Sequence, residues 1–86
     1  MRNIERNSQI GARVRFARDL AGLTQEQLAD LVGMKGPDRR SVIGDIEHGR
    51  RGLSLKTLIA IAHALDVNPA WLDFGRPFAK MERPYA

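Results

Sequence analysis

Gly22-Leu23-Thr24-Gln25-Glu26-Gln27-Leu28-Ala29, running on through Asp30-Leu31-Val32 to Gly33, and the later Ser41-Val42-Ile43-Gly44-Asp45-Ile46-Glu47-His48-Gly49 decide how this chain folds. Thr24 has the character of a helix N-cap. Gln27, three residues on, completes a capping box in which each side chain meets the other residue's backbone amide. Leu28, Ala29 and Val32 then share one helical face, and Gly33 suits the left-handed closing position. The spacing predicts a helix over about Gln25 to Val32. A further helix follows over roughly Arg39 to His48, with Ile43 and Ile46 as its inward pair and Arg39, Arg40, Ser41 and Asp45 as a polar outer side.

The flanking sequence reads in the same way. Apolar residues recur at spacings of 3 and 4, never in a sustained alternation, so helices are predicted and strands are not. Ile10, Val14, Ala17 and Ala21 mark a first helix from about Ser8 to Ala21. Ser54 caps a fourth over about Leu55 to Leu65, which buries Leu55, Leu58, Ile59, Ala62 and Leu65 and holds His63 as a packing residue. Asn68 with Pro69 at the first helical position starts a last short helix carrying Trp71, Leu72 and Phe74. Gly22, Gly33, Gly49 and Gly75 each stand where a helix would end. The expected fold is all-α, a compact five-helix domain over residues 8–75, with a polar N-terminal arm at 1–7 and a C-terminal tail at 76–86.

Composition narrows the function. With 86 residues, 43% of them hydrophobic, the chain makes one modest core rather than a multidomain enzyme with a walled cleft. It has no cysteine, hence no disulfide, zinc-thiolate site or thiol nucleophile. His48 and His63 have no carboxylate partners at ligand spacing, Asp45 and Glu47 point apart on their helix, and no phosphate-binding glycine loop is present. The reading is of a non-enzyme with no cofactor and no metal. The longest apolar run, Leu58 to Ala62, is five residues, against about 20 for a membrane span. No apolar segment follows the N-terminus, so no membrane contact and a cytoplasmic location are expected. Net charge is +4, and eleven of the fourteen cations are arginine, whose planar fork matches phosphate and guanine edges. The charge is uneven: residues 1–18 sum to +4 and residues 19–32 to −3. A polyanionic partner suits such a chain.

Two short helices joined by a turn that begins at Gly33 have the helix-turn-helix layout, whose second member enters the DNA major groove, about 12 Å wide and able to admit a helix. Ile10-Gly11-Ala12-Arg13-Val14-Arg15, then Arg18, Gly22 to Ala29, Ser41 to Gly49, Leu53-Ser54-Leu55, Leu58 to Ala62, Leu65-Asp66-Val67 and Trp71-Leu72 occur in the order found in the lambda-repressor-like (Cro/C1, XRE-type) helix-turn-helix domains, which the chain resembles over about residues 8–75.

The resemblance implies a sequence-specific transcriptional regulator, a repressor acting as a dimer on a palindromic operator. It implies that Gln25 touches phosphate and steadies the recognition helix, and that Arg40 and Ser41 read bases. Asp45 takes a third position facing base or backbone. His48, Arg50 and Arg51 contact phosphates, and Arg18 and Glu47 form a buried pair tying the first helix to the third. Arg39 joins the DNA-facing set, and Val42 is placed to meet a thymine methyl. Arg2 and Arg6 are read as a basic arm along the DNA. Trp71, Phe74 and Phe78 are divided between core and dimer contact.

The expected partners are double-stranded DNA and a second copy of the chain. Phage-type repressor, restriction–modification controller protein and antitoxin with a toxin partner all remain open, as does a protein- or RNA-interaction module on the same fold. One departure stands out. Gly33 to Glu47 is fourteen positions, longer than the family's usual spacing, with the extra residues around Lys35-Gly36-Pro37-Asp38. Either the turn is longer or the recognition helix gains a turn at its start.

Overall fold

Capping chemistry sets where the helices begin. Thr24 Oγ1 accepts from the Gln27 amide at 3.0 Å and the Thr24 amide donates to Gln27 Oε1 at 2.8 Å, closing both halves of the box. Ser54 Oγ accepts from the Thr57 amide and Asn68 Oδ1 from the Ala70 amide. In the computed structural model, which describes residues 4–75, five helices result: α1 (Ile4–Leu20), α2 (Gln25–Val32), α3 (Arg39–Glu47), α4 (Leu55–Leu65) and α5 (Pro69–Phe74). The architecture is all-α. Gly22, Gly33, Gly49 and Gly75 all adopt positive φ, as their places after helices predict. Asp66 takes the same conformation, φ 58°, at the end of α4, where no glycine signalled it.

The core is drawn from every helix: Val14, Leu28, Ile43, Ile61 and Leu72 are fully buried, with Ile10, Ile46, Ala62, Leu65 and Trp71 around them. Burying one such leucine or isoleucine contributes about 1.5–3 kcal/mol. Several sequence expectations are corrected. α1 starts at Ile4, not near Ser8, because its first turns are held from outside. Arg6 pairs with Asp73 on α5, which removes Arg6 from a free basic arm, and Ser8 lies against Gly49. Arg2, Phe78 and the 76–86 tail lie outside the described residues. Ala21 sits exposed in the turn after α1.

On α4 the buried stripe is Leu58, Ile61, Ala62 and Leu65. Leu55 and Ile59 lie on its flank, 68% and 38% exposed, and His63 faces solvent. Phe74, the last residue of α5, is 73% exposed.

The crossing of α1 over α3 positions everything that follows, and it depends on Gly11. A Cβ there would sit 2.7 Å from the Glu47 carbonyl oxygen and closer still to that of Ile46. Only a hydrogen fits between the two backbones. Gly11→Ala is expected to lower stability by about 1–3 kcal/mol, the usual cost of overpacking. Urea denaturation measures it, and an unchanged midpoint would contradict the close approach.

Candidate nucleic-acid interface

Gln25 is the first residue of α2, and the capping box before it fixes where its side chain starts. From there Gln25 crosses to α3, where its amide lies over Gly44. Its Nε2 donates to Glu47 Oε1 at 3.1 Å. Arg18, near the end of α1, reaches the same carboxylate with its fork: Nε donates to Oε2 at 2.6 Å and Nη2 to Oε1 at 3.0 Å. The remaining end of the fork, Nη1, donates to the Leu23 carbonyl at 2.8 Å, just ahead of the α2 cap. One buried carboxylate thus receives three hydrogen bonds from two helices and is the junction of α1, α2 and α3. The Glu47 side chain is 2% exposed and that of Arg18 12%. The hydrogen bond to Glu47 raises the Arg18 pKa above its ordinary value, outweighing the opposing effect of burial.

The turn between α2 and α3 runs from Gly33 to Asp38, so the extra residues lengthen the turn and leave α3 at nine residues. Asp38 occupies the N-cap position of α3 but makes no side-chain cap hydrogen bond. Arg39, the first residue of α3, turns its guanidinium back toward α2. Nε donates to Asp30 Oδ1 at 2.6 Å, Nη2 to Glu26 Oε1 at 2.9 Å and Nη1 to the Gly36 carbonyl at 3.0 Å. Glu26 and Asp30 were not singled out in the sequence. The signal was there in two acids four apart on one helix, within the segment of net charge −3.

Arg40 and Ser41 are exposed, and neither pairs with another described residue. Arg40 shares a concave surface with Arg18, Thr24, Gln25, Glu26, Gln27 and Asp30. Val42 is half-buried and packs partly against the core. Asp45 pairs with Arg50 at 3.3 Å, which turns that arginine back along α3. His48 closes α3, with Nδ1 2.8 Å from the Gly44 carbonyl oxygen. Arg51 is exposed in the loop beyond. The residues expected on DNA therefore fall into two groups, Arg40 and Ser41 at the start of α3, with Gln25 of α2 on the same concave surface as Arg40, and His48, Arg50 and Arg51 past its end, with Asp45 between them. Arg39 is engaged elsewhere. Among the described residues no group of three or more metal-ligating side chains comes together, and no helix is long and apolar enough to cross a membrane.

Glu47→Ala is expected to cost about 3–5 kcal/mol, because it leaves the largely buried Arg18 fork with only the Leu23 carbonyl and the exposed Asp19 as partners. Thermal and urea unfolding measure the loss. A variant that melts like the wild type would contradict the central place given to this carboxylate.

Comparison with known proteins agrees with this geometry. The Helix-turn-helix family profile matches residues 14–72. Control protein C.SmaI of Serratia marcescens is 40% identical over 55 residues, 64% of this chain, and the chain spans only 61% of that relative's length. The crystal structure of the restriction-modification controller protein C.AhdI from Aeromonas hydrophila superposes with a TM-score of 0.69 at 39% identity, covering 77% of this chain and 94% of that one. With a capped α2, a Gly33 turn and an α3 tied inward through Glu47, the chain belongs to the lambda-repressor-like (Cro/C1, XRE-type) helix-turn-helix family.

Proposed function

We propose that this protein is a sequence-specific transcriptional regulator that binds duplex DNA in the cytoplasm as a homodimer, and that its operator controls a restriction–modification system. The observation that carries the DNA reading is the division of α3 into a buried stripe and an exposed first turn. Ile43, Ile46 and Glu47 are buried within the domain, while in the first turn Ser41, on the opposite face, and Arg40, on the Glu47 flank, stand exposed. A helix so held can lay its first turn in a major groove, where an arginine fork matches the O6 and N7 edge of guanine. Gln25 reaches phosphate at the α2 N-terminus, where the helix dipole favours anions. His48, Arg50 and Arg51 clamp the backbone past the end of α3. The controller reading is supported by the likeness to one protein described as a restriction-modification controller protein and to another described as a control protein.

The dimer is supported by the apolar side chains that α4 and α5 leave exposed, Leu55, Ile59 and Phe74. Hiding such groups against a second copy removes apolar area from water, and two-fold symmetry sets two recognition helices one DNA turn apart, about 34 Å.

In vitro selection from random duplex DNA is expected to enrich a palindrome with half-sites at that spacing. On the enriched site, Arg40→Ala should cost about 1–3 kcal/mol of affinity and relax preference at one base pair in each half. Arg51→Ala should weaken all duplexes alike and reduce the salt slope by about one for each bound copy. A folded protein that enriches nothing, or an Arg40→Ala variant with unchanged selectivity, would overturn the proposal.

A further inference from the structure

The long turn raises a mechanical difficulty. α3 begins six residues after Gly33, its N-cap Asp38 makes no side-chain hydrogen bond, and the amide of Arg39 meets the Gly36 carbonyl only at 3.5 Å. The first turn of α3 has little of its own to hold it, and Arg40 and Ser41 are carried there. Beside the half-buried Val42, what ties it to α2 and the turn is a single guanidinium. Arg39 binds Asp30 and Glu26, one helical turn apart on α2, and the carbonyl of Gly36 in the middle of the long turn. The guanidinium of Arg39 thereby joins α2, the turn and α3. Each ion pair is exposed on its acidic side, with Glu26 and Asp30 side chains 56% accessible, and alone would contribute little. Three acceptors converging on one rigid fork is a different case, because the fork loses its freedom once for all three bonds.

We infer that Arg39, Glu26 and Asp30 are positioning residues for DNA reading. They form a clasp that fixes the first turn of α3 and so the placement of Arg40 and Ser41, while Arg39 itself does not contact DNA. This departs from the expectation that Arg39 belongs to the DNA-facing set, and it rests on the DNA-binding reading above. The clasp also offsets part of the charge of two carboxylates that would otherwise stand beside the phosphates.

Charge separates the clasp from the alternative. The double variant Glu26→Gln, Asp30→Asn removes two negative charges near the proposed DNA face, which on electrostatics alone tightens binding to any duplex. A freed Arg39 acting as a phosphate contact would tighten it further. The clasp predicts opposite behaviour on specific DNA. Affinity for the site selected by the wild type falls by about tenfold, the loss of roughly one base contact, while affinity for an unrelated duplex holds or rises. Arg39→Lys, which keeps the charge and loses the fork, should show the same selective loss. Tighter or unchanged binding to the selected site in the double variant would overturn the inference.

Amide hydrogen exchange decides the structural half without DNA. In the double variant the Val42 amide, bonded to the Asp38 carbonyl at 3.2 Å, should lose protection while the amides of Ile61 and Ala62 in α4 keep theirs. Unchanged protection at Val42, or an equal loss in α4, would refute the clasp. Should the wild type enrich no site at all, the DNA reading fails on its own control, and the exchange result still stands for or against the clasp.

Discussion

The buried carboxylate of Glu47 is the constraint from which the rest of the structure follows. A charge removed from water is tolerated only when its hydrogen-bonding capacity is filled, and here two nitrogens of Arg18 and one of Gln25 fill it. Those donors come from α1 and α2, so satisfying one group on α3 fixes the relation of three helices. Gly11 follows from the same arrangement, since α1 can bring Arg18 to Glu47 only by lying almost against the α3 backbone. A small domain without disulfides or metal has few means of holding a helix at a defined tilt, and this network is one of them.

The two ends of α3 are held by different physics. Its second half is anchored by Ile43, Ile46 and Glu47, all buried, in a setting that salt barely screens. Its first turn is secured by exposed contacts of Arg39 across a long turn, which salt weakens. The salt-sensitive hold therefore lies at the end that carries Arg40 and Ser41. In the proposed DNA reading, affinity and selectivity draw on different parts of the same surface. The cations past the end of α3 would supply charge to any duplex, whereas selectivity would need the first turn held in place.

Much of this was legible in the sequence, for identifiable reasons. The capping box at Thr24 and Gln27, the caps at Ser54 and Asn68 and the glycine stops are local chemistry, and α2, α4 and α5 fall where that chemistry put them. Extension of α1 back to Ile4 was not legible, because Arg6 is paired with Asp73 and Ser8 lies close against Gly49, both far away in the chain. Leu55, Ile59 and Phe74 look like core by type, but which strip of an apolar helix is covered depends on its neighbours, and theirs leave them exposed. The length of the turn was visible as a count, but not whether turn or helix absorbed it. Arg39 read as one more outward cation, since its two carboxylate partners lie nine and thirteen residues back, on another helix.

The central claim is that the Glu47 junction presents one particular face, the start of α3 with the residues that flank it, to duplex DNA. Amide chemical-shift mapping of isotope-labelled protein titrated with duplex DNA tests it most directly. The account predicts that the changes concentrate at Gln25, at Arg40 to Val42, at Asp45 and at His48 to Arg51, with the outer faces of α4 and α5 little altered. Shifts gathered on α4 and α5 instead, or a folded protein that shows none at low salt, would contradict it.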